Sequence, residues 1–429
     1  MFLVLLFVSL IAGTFLRISL LLIYPILTIF IVSFFKMRLS RSLIILLLLI
    51  SLTLLLSFFP HLYLKYKLLS LFYMLPFLVL LFSAPSMEKY PDINYLKIFI
   101  RCLAIVVLAN DLVGFIQLLK DPGSDDSFTG IYSQFSVSLN GLMLLNAILF
   151  FYYFTSYIYQ KRFVNLMISL LFMISALLCF YGAGLIICMT AFVLSFFRIN
   201  IRSLFKTIFI SIISMLSIYY LMLIIKPVTL AYNIENIKNI LGIHVVEPPR
   251  KVLSFYNYAH SYPHHFKDFL FGSGPGTFNS RSAFMVGSPS YFSSISLIKD
   301  PQQPYYFRNF AYSLWNESNT SQALYLDGFR NQPFSSALAF LGEYGLLFTL
   351  AFIFLYFRLY RKISRLHYSS SRTGQAAINF RFGKFLIILT PLLLLIDNYF
   401  EYPEIMLLVV LGIKLAQIDI LTNAQNNNR

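Results

Sequence analysis

The stretch 43-LIILLLLISLTLLLSFF-59 carries no charge and only three hydroxyl side chains, Ser51, Thr53 and Ser57. A helix crosses the hydrocarbon core of a bilayer in roughly 20 residues at about 1.5 Å each, and this run nearly suffices. Its apolar side chains fall on every face, without the alternation of a barrel strand. In lipid only a helix or a closed barrel satisfies its own backbone, so the run reads as a helix surrounded by apolar matter. Comparable runs recur on both sides of it, at 18–35, 68–84, 98–119, 131–156, 337–357 and 404–420. The 429 residues are 59% hydrophobic and 12% charged, with a mean hydropathy of +0.75. A soluble protein of this length would hold two or three domains; this composition instead specifies an all-α polytopic membrane protein.

The net charge of +16 invites a nucleic-acid reading, which the placement of the charges excludes. Lys and Arg sit in short loops between apolar runs, as the positive-inside rule requires of cytoplasmic loops. Five alternate loops, among them 36-KMRLSR-41 and 358-RLYRKISRLHYSSSRTGQAAINFRFGK-384, hold 17 Lys and Arg; the short loops opposite hold four, Arg17, Lys65, Lys67 and Lys120. That bias predicts about twelve transmembrane helices with both termini cytoplasmic. The first two are expected at 2–16 and 18–35, because Met1-Phe2-Leu3 opens without a charged segment or small-residue cleavage site. The 35-residue run 163–197, broken at 182-GAG-184, reads as a helical hairpin; further spans are expected at 207–225 and 385–398. Cys102, Cys179 and Cys188 all lie in apolar runs, which argues for buried thiols over a disulfide framework.

Three regions follow: an N-terminal bundle of about nine helices over 1–225, one long external loop with short helices over 226–336, and about three helices with a polar tail over 337–429. The long loop is where chemistry is expected. It carries the only tryptophan, Trp315, and the arginines Arg250, Arg281, Arg308 and Arg330. A guanidinium binds phosphate through a two-pronged fork and stays charged at any relevant pH, so these residues suit a pyrophosphate beside the membrane. His260, His264 and His265 lie close together; one could serve as a general base near neutrality, while the ligand spacing of a metal site is missing. The turn 272-GSGPG-276 lacks the Lys and Ser/Thr of a phosphate-binding P-loop, so Gly272, Gly274 and Gly276 are read as allowing close backbone approach. Glu343, early in the span 337–357, needs a partner or a wet cavity at that depth. Tyr256 and Trp315 offer flat faces with polar tips for sugars.

Taken in order, these pieces resemble the O-antigen polymerase and ligase superfamily of bacterial inner-membrane glycan enzymes. The resemblance rests on the glycine-to-asparagine stretch Gly130 to Asn140 and on Ala183-Gly184-Leu185. It rests also on the run from Arg250 to 272-GSGPGTF-278 and on 341-LGEYGLL-347, around one long external loop. It implies a fold like that of GT-C-type glycosyltransferases in the bacterial cytoplasmic membrane. It also implies glycosyl transfer, without metal or other cofactor, between undecaprenyl-pyrophosphate-linked glycans as donor and acceptor. A chain-length regulator and a flippase are the protein partners this suggests. Ligases of the superfamily carry a His just before the second glycine motif; here Gln332-Pro333-Phe334 stands in that place, which favours a polymerase of the Wzy type. On that reading Arg250 and Arg330 stabilise the leaving pyrophosphate, His260 or Glu343 takes the acceptor proton, and Arg281, Arg308, His264 and His265 bind substrate. A transporter of lipid-linked sugars is the competing class, kept open by Arg101 and Asp111 within a span.

Overall fold

A computed structural model describes residues 19–58, 62–85, 94–120, 128–131, 139–179, 181–196, 249–291, 296–321, 332–369 and 374–427, with scattered positions between 216 and 238. Within them the chain is helical and forms no sheet; the one β-type contact is an isolated bridge between Arg38 and Ala84. The long helices are α1 (Ser19–Phe34), α2 (Arg41–Ser57), α3 (Leu64–Phe82), α4 (Tyr95–Lys120), α5 (Leu139–Gln160), α6 (Phe163–Leu178) and α7 (Gly182–Phe196). Three short helices follow, α8 (Arg250–Ser261), α9 (Phe266–Phe271) and α10 (Arg281–Gly287). The chain then returns through α11 (Ser336–Ala339), a wide-wound turn over Phe340–Tyr344, α12 (Gly345–Ser369), α13 (Gln375–Ile396) and α14 (Pro403–Asn427).

Six of these helical stretches are long and apolar enough to cross a membrane, and α1, α2, α6 and α7 are shorter apolar helices. The expected spans 2–16 and 207–225 lie outside the described residues, the latter apart from isolated positions. Within 163–197 two helices do form, but the first ends at Leu178 and Gly182 opens the second, so the glycines lie inside a helix and not at the break. The basic segment 358–384, expected as a loop, is largely helix: α12 runs on to Ser369 and α13 begins at Gln375.

α14 is the axle of the bundle, with every residue from Pro403 to Ile420 buried. α4 and α12 lie at the outside. α12 turns Leu347, Leu350, Ile353, Phe354 and Phe357 outward, a helical stripe of large apolar side chains that only lipid would cover without penalty. Inside, aromatic rings fill the seams, as where Phe151 of α5 stacks on Phe385 of α13 at 4.0 Å.

Polar contacts sort the helix ends into two sets. At the Lys/Arg-rich end, Ser40 Oγ donates to the Phe82 carbonyl at 2.6 Å and Gln160 donates to Gln375. There too the Asp419 carboxylate on α14 accepts from Tyr95 N and Leu96 N, placing negative charge on the first turn of α4, where the helix dipole favours it. At the other end, called the loop end below, Thr53 Oγ1 donates to Phe271 O and Lys65 Nζ reaches the carbonyls of Leu297 and Lys299. The two sets lie at opposite ends of α2 and α3, as in a chain threading back and forth.

Arg381 corrects the reading of 358–384. It is buried in α13, donates through Nη1 to the Ser195 carbonyl at 2.8 Å and through Nε to Tyr159 Oη at 3.3 Å, and so ties α13 to α5 and α7. Arg381→Ala leaves a buried carbonyl without its donor. It is expected to destabilise the protein by about 2 kcal/mol, read as a lowered thermal midpoint of the solubilised protein. An unmoved midpoint would mean that the contact carries no stability.

Candidate functional site at the loop end

The two glycine motifs, about 70 residues apart in sequence, meet at the loop end. α9 stops at Gly272, whose φ of +84° few other residues adopt, and the chain turns onto the wide-wound turn before α12. Ser273 N donates to the Gly342 carbonyl at 2.8 Å and Gly274 N to the Glu343 carbonyl at 3.0 Å. Those carbonyls need outside donors because Gly345, at φ +86°, breaks the helix just after them. Backbone lies on backbone here. A Cβ on Gly272 would stand 2.2 Å from Glu343 O, and one on Gly345 would stand 2.4 Å from Leu270 O.

Glu343 closes this clasp from within. Its Oε2 accepts from Gly276 N at 2.6 Å, and its Oε1 accepts from Phe278 N at 3.2 Å and Ser280 N at 3.0 Å. The carboxylate is fully buried and both oxygens are engaged by main-chain donors. It therefore holds the 276–280 turn in shape. Gly276, at φ +72°, sits against the Tyr66 carbonyl of α3 and joins the clasp to the bundle.

Beyond the clasp the chain enters α10, which begins at Arg281. Its guanidinium lies 3.7 Å from the centre of the Tyr402 ring, and its Nε donates to Tyr291 Oη at 2.8 Å. The terminal nitrogens make no hydrogen bond to the described residues, so a half-buried fork is braced at its neck and uncommitted at its tip. The link 397-DNYFEYPE-404 between α13 and α14 builds the floor. Glu401 accepts from Arg281 N at 2.5 Å, Ser282 Oγ at 2.6 Å and Asn398 Nδ2 at 2.7 Å, which locks α10 onto the link. Burial, and then the charge of Glu343, push the Glu401 carboxyl up to about 8, against the hydrogen bonds from Ser282 and Arg281.

Lys251, on the first turn of α8, donates to the Ile396 carbonyl at the edge of the same link. Burial lowers its ammonium below the ordinary value and the nearby Asp397 raises it again. Asp397 also acts on Arg281. One Asp397 oxygen accepts from Asn398 N at 2.6 Å; the other has no hydrogen bond among the described residues. Asp397 thus acts on two cations, Lys251 and Arg281, and keeps one oxygen without a hydrogen bond among the described residues.

The sequence-predicted residues divide into five groups. Gly272, Gly274, Gly276 and Glu343 form the clasp. Arg281 reaches the acidic link, and Arg250 opens the helix whose next residue, Lys251, does the same. Trp315 is half-buried in an aromatic cluster with Phe284, Tyr291 and Phe334, its ring centre 5.2 Å from that of Phe334, so it braces the wall behind Tyr291. Tyr256, His260, His264, His265 and Arg308 are exposed. Tyr256 and His260 stack face to face at 5.9 Å, His264 turns its edge to His260, and His265 meets Tyr306. Among the described residues no hydrogen bond or ring contact links these histidines to Arg281. Arg330 lies outside the described residues.

Asp397, Glu401, Tyr291 and Tyr402 are additions to the expected site. Their signal in the sequence is the density of acids and tyrosines in a link only a few residues long between two apolar runs. Such a link has no reason to carry three carboxylates unless cations meet it. The sequence comparisons stay silent on this chain: no protein-family model matches it, and no curated protein matches it.

Proposed function

We propose that the protein is a membrane-embedded glycan polymerase that acts on undecaprenyl-pyrophosphate-linked repeat units at the outer face of the bacterial cytoplasmic membrane. One observation carries the reading. A braced guanidinium, Arg281, lies within electrostatic reach of Asp397, a carboxylate with one oxygen not hydrogen-bonded among the described residues, at the helix ends opposite the Lys/Arg-rich loops. A pyrophosphate leaving group needs a fixed cation, and an attacking sugar hydroxyl needs a proton acceptor; Arg281 on α10 and Asp397 on the link beneath it are suited to those two tasks.

In this mechanism the acceptor's terminal hydroxyl attacks the anomeric carbon of the donor glycan. The new glycosidic bond forms as the bond from that carbon to the phosphate oxygen breaks. The hydroxyl proton passes to Asp397, and the bonding electrons leave with undecaprenyl pyrophosphate. The fork of Arg281 takes up the charge that develops there, in a setting dry enough to strengthen it. Lys251 and Arg250 add positive field beside it. The exposed ladder of Tyr256, His260 and His264 offers flat faces along which a growing glycan could lie.

Arg281→Lys keeps the charge and loses the fork, so polymerisation is expected to fall on the order of 100-fold. Cells carrying Arg281→Lys or Arg250→Lys should hold normal amounts of the protein and accumulate single lipid-linked repeat units. Glycan-length ladders on gels report this. Full ladders in both variants would refute the phosphate role. Long chains stranded on the carrier lipid would point to ligation instead.

A further inference from the structure

Away from the loop-end cluster, in the outer half of α4, Asp111 is buried with no Lys or Arg partner among the described residues. Its Oδ1 accepts from Asn146 Nδ2 of α5 at 3.0 Å, and the same amide nitrogen donates to Leu142 O at 3.1 Å. Three neighbouring oxygens are left over. Asp111 Oδ2, Asn146 Oδ1 and the Ser175 Oγ of α6 are all enclosed and make no hydrogen bond of ordinary length; the Ser175 hydroxyl, the one donor among them, faces the Asp111 carboxylate. They come from three different helices, and at least two of them can only accept.

An ionised carboxylate at this depth, about 13 Å from the helix end at 120, is expensive unless a positive species joins it. A proton on Oδ2 would cancel the charge but donate to only one of the other two oxygens, even with the Ser175 hydroxyl as a further donor. A metal cation serves all three together. The ligands are hard oxygens carrying one negative charge in total, which matches a monovalent alkali ion; calcium or magnesium gathers more carboxylates or keeps several waters. An orphaned buried oxygen costs about 1–3 kcal/mol, so three at one point are better explained as a ligand set than as an accident of packing.

We infer that Asp111, Asn146 and Ser175 bind a small monovalent cation, sodium by the hardness of its ligands, and that the ion pins α4, α5 and α6 together. The glycan reading is not needed for this, and the two stand or fall separately.

The test uses the full-length solubilised protein at constant ionic strength, with sodium chloride replacing choline chloride. The thermal midpoint should rise saturably with sodium and much less with potassium. Ser175→Ala should raise the half-saturating sodium concentration roughly tenfold, about the 1.4 kcal/mol that separates tenfold constants, and Asp111→Asn should abolish the response. Should Asp111→Asn not fold, radioactive sodium binding to the wild type and to Ser175→Ala decides instead, with about one ion per chain and weaker binding in the variant. A midpoint that answers to acid pH and not to sodium would overturn the proposal, because a proton would then hold the site. So would equal responses to every salt, or an undiminished sodium response in Asp111→Asn.

Discussion

Glu343→Ala is expected to cost the protein its fold at the loop end, and with it most of its level in the membrane. The substitution strips the acceptors from three buried main-chain donors, Gly276 N, Phe278 N and Ser280 N. Each unsatisfied group costs about 1–3 kcal/mol, so the loss is roughly 4 kcal/mol or more, a large part of an ordinary protein's stability. Glu343→Gln keeps the shape and one acceptor oxygen but turns an amide group toward a donor, and should fall between wild type and Ala. Thermal midpoints of the solubilised variants rank them. A general base would behave otherwise: the midpoint would hold while activity vanished.

Gly345→Ala should be nearly as damaging, for a steric reason. The residue sits at φ +86° and ψ 169°, a region essentially reserved for glycine, where an L side chain is strained by about 1–3 kcal/mol. Its Cβ would also stand 2.4 Å from Leu270 O and 2.5 Å from Gly272 N. These are main-chain atoms on the facing strand of the clasp, and neither can rotate aside as a side chain would. The clasp must open, and Ser273 N and Gly274 N then lose the carbonyls of Gly342 and Glu343. Limited proteolysis between Gly272 and Arg281 should become many times faster than in wild type. A cleavage rate unchanged in Gly345→Ala would mean that the close approach of the two backbones is not required.

Much of the fold can be read from local pattern because lipid imposes it locally. A helix in a bilayer must be apolar over about 20 consecutive residues, and runs such as 43–59 and 98–119 announce themselves as α2 and α4. The glycine motifs are legible as turns for a similar reason, since positive φ limits which residues can stand at Gly272 and Gly345. What is illegible is pairing across the chain. Nothing near Glu343 says that its partners are main-chain donors more than 60 residues earlier, so its place in a clasp is hidden from the sequence. Arg381 misleads in the same way. Its charge reads as loop, whereas the groups that accept its hydrogen bonds sit on α5 and α7. Asp397 and Tyr402 are hidden because their worth depends on Arg281, more than 100 residues before them. The histidines stand out by composition, yet they lie exposed on α8 and the turn after it, away from the contacts that brace Arg281.

If Arg281 and Asp397 handle a pyrophosphate-linked glycan, the purified protein should polymerise one unaided. The purified protein in lipid vesicles would be given a single lipid-pyrophosphate-linked repeat unit and no other protein, with products separated by length. The account predicts a ladder of two, three and more units from wild type. It predicts a loss on the order of 100-fold in Arg281→Lys and in Asp397→Asn, each with an unchanged thermal midpoint. No product longer than the starting unit, or ladders from both variants equal to that of the wild type, would contradict it.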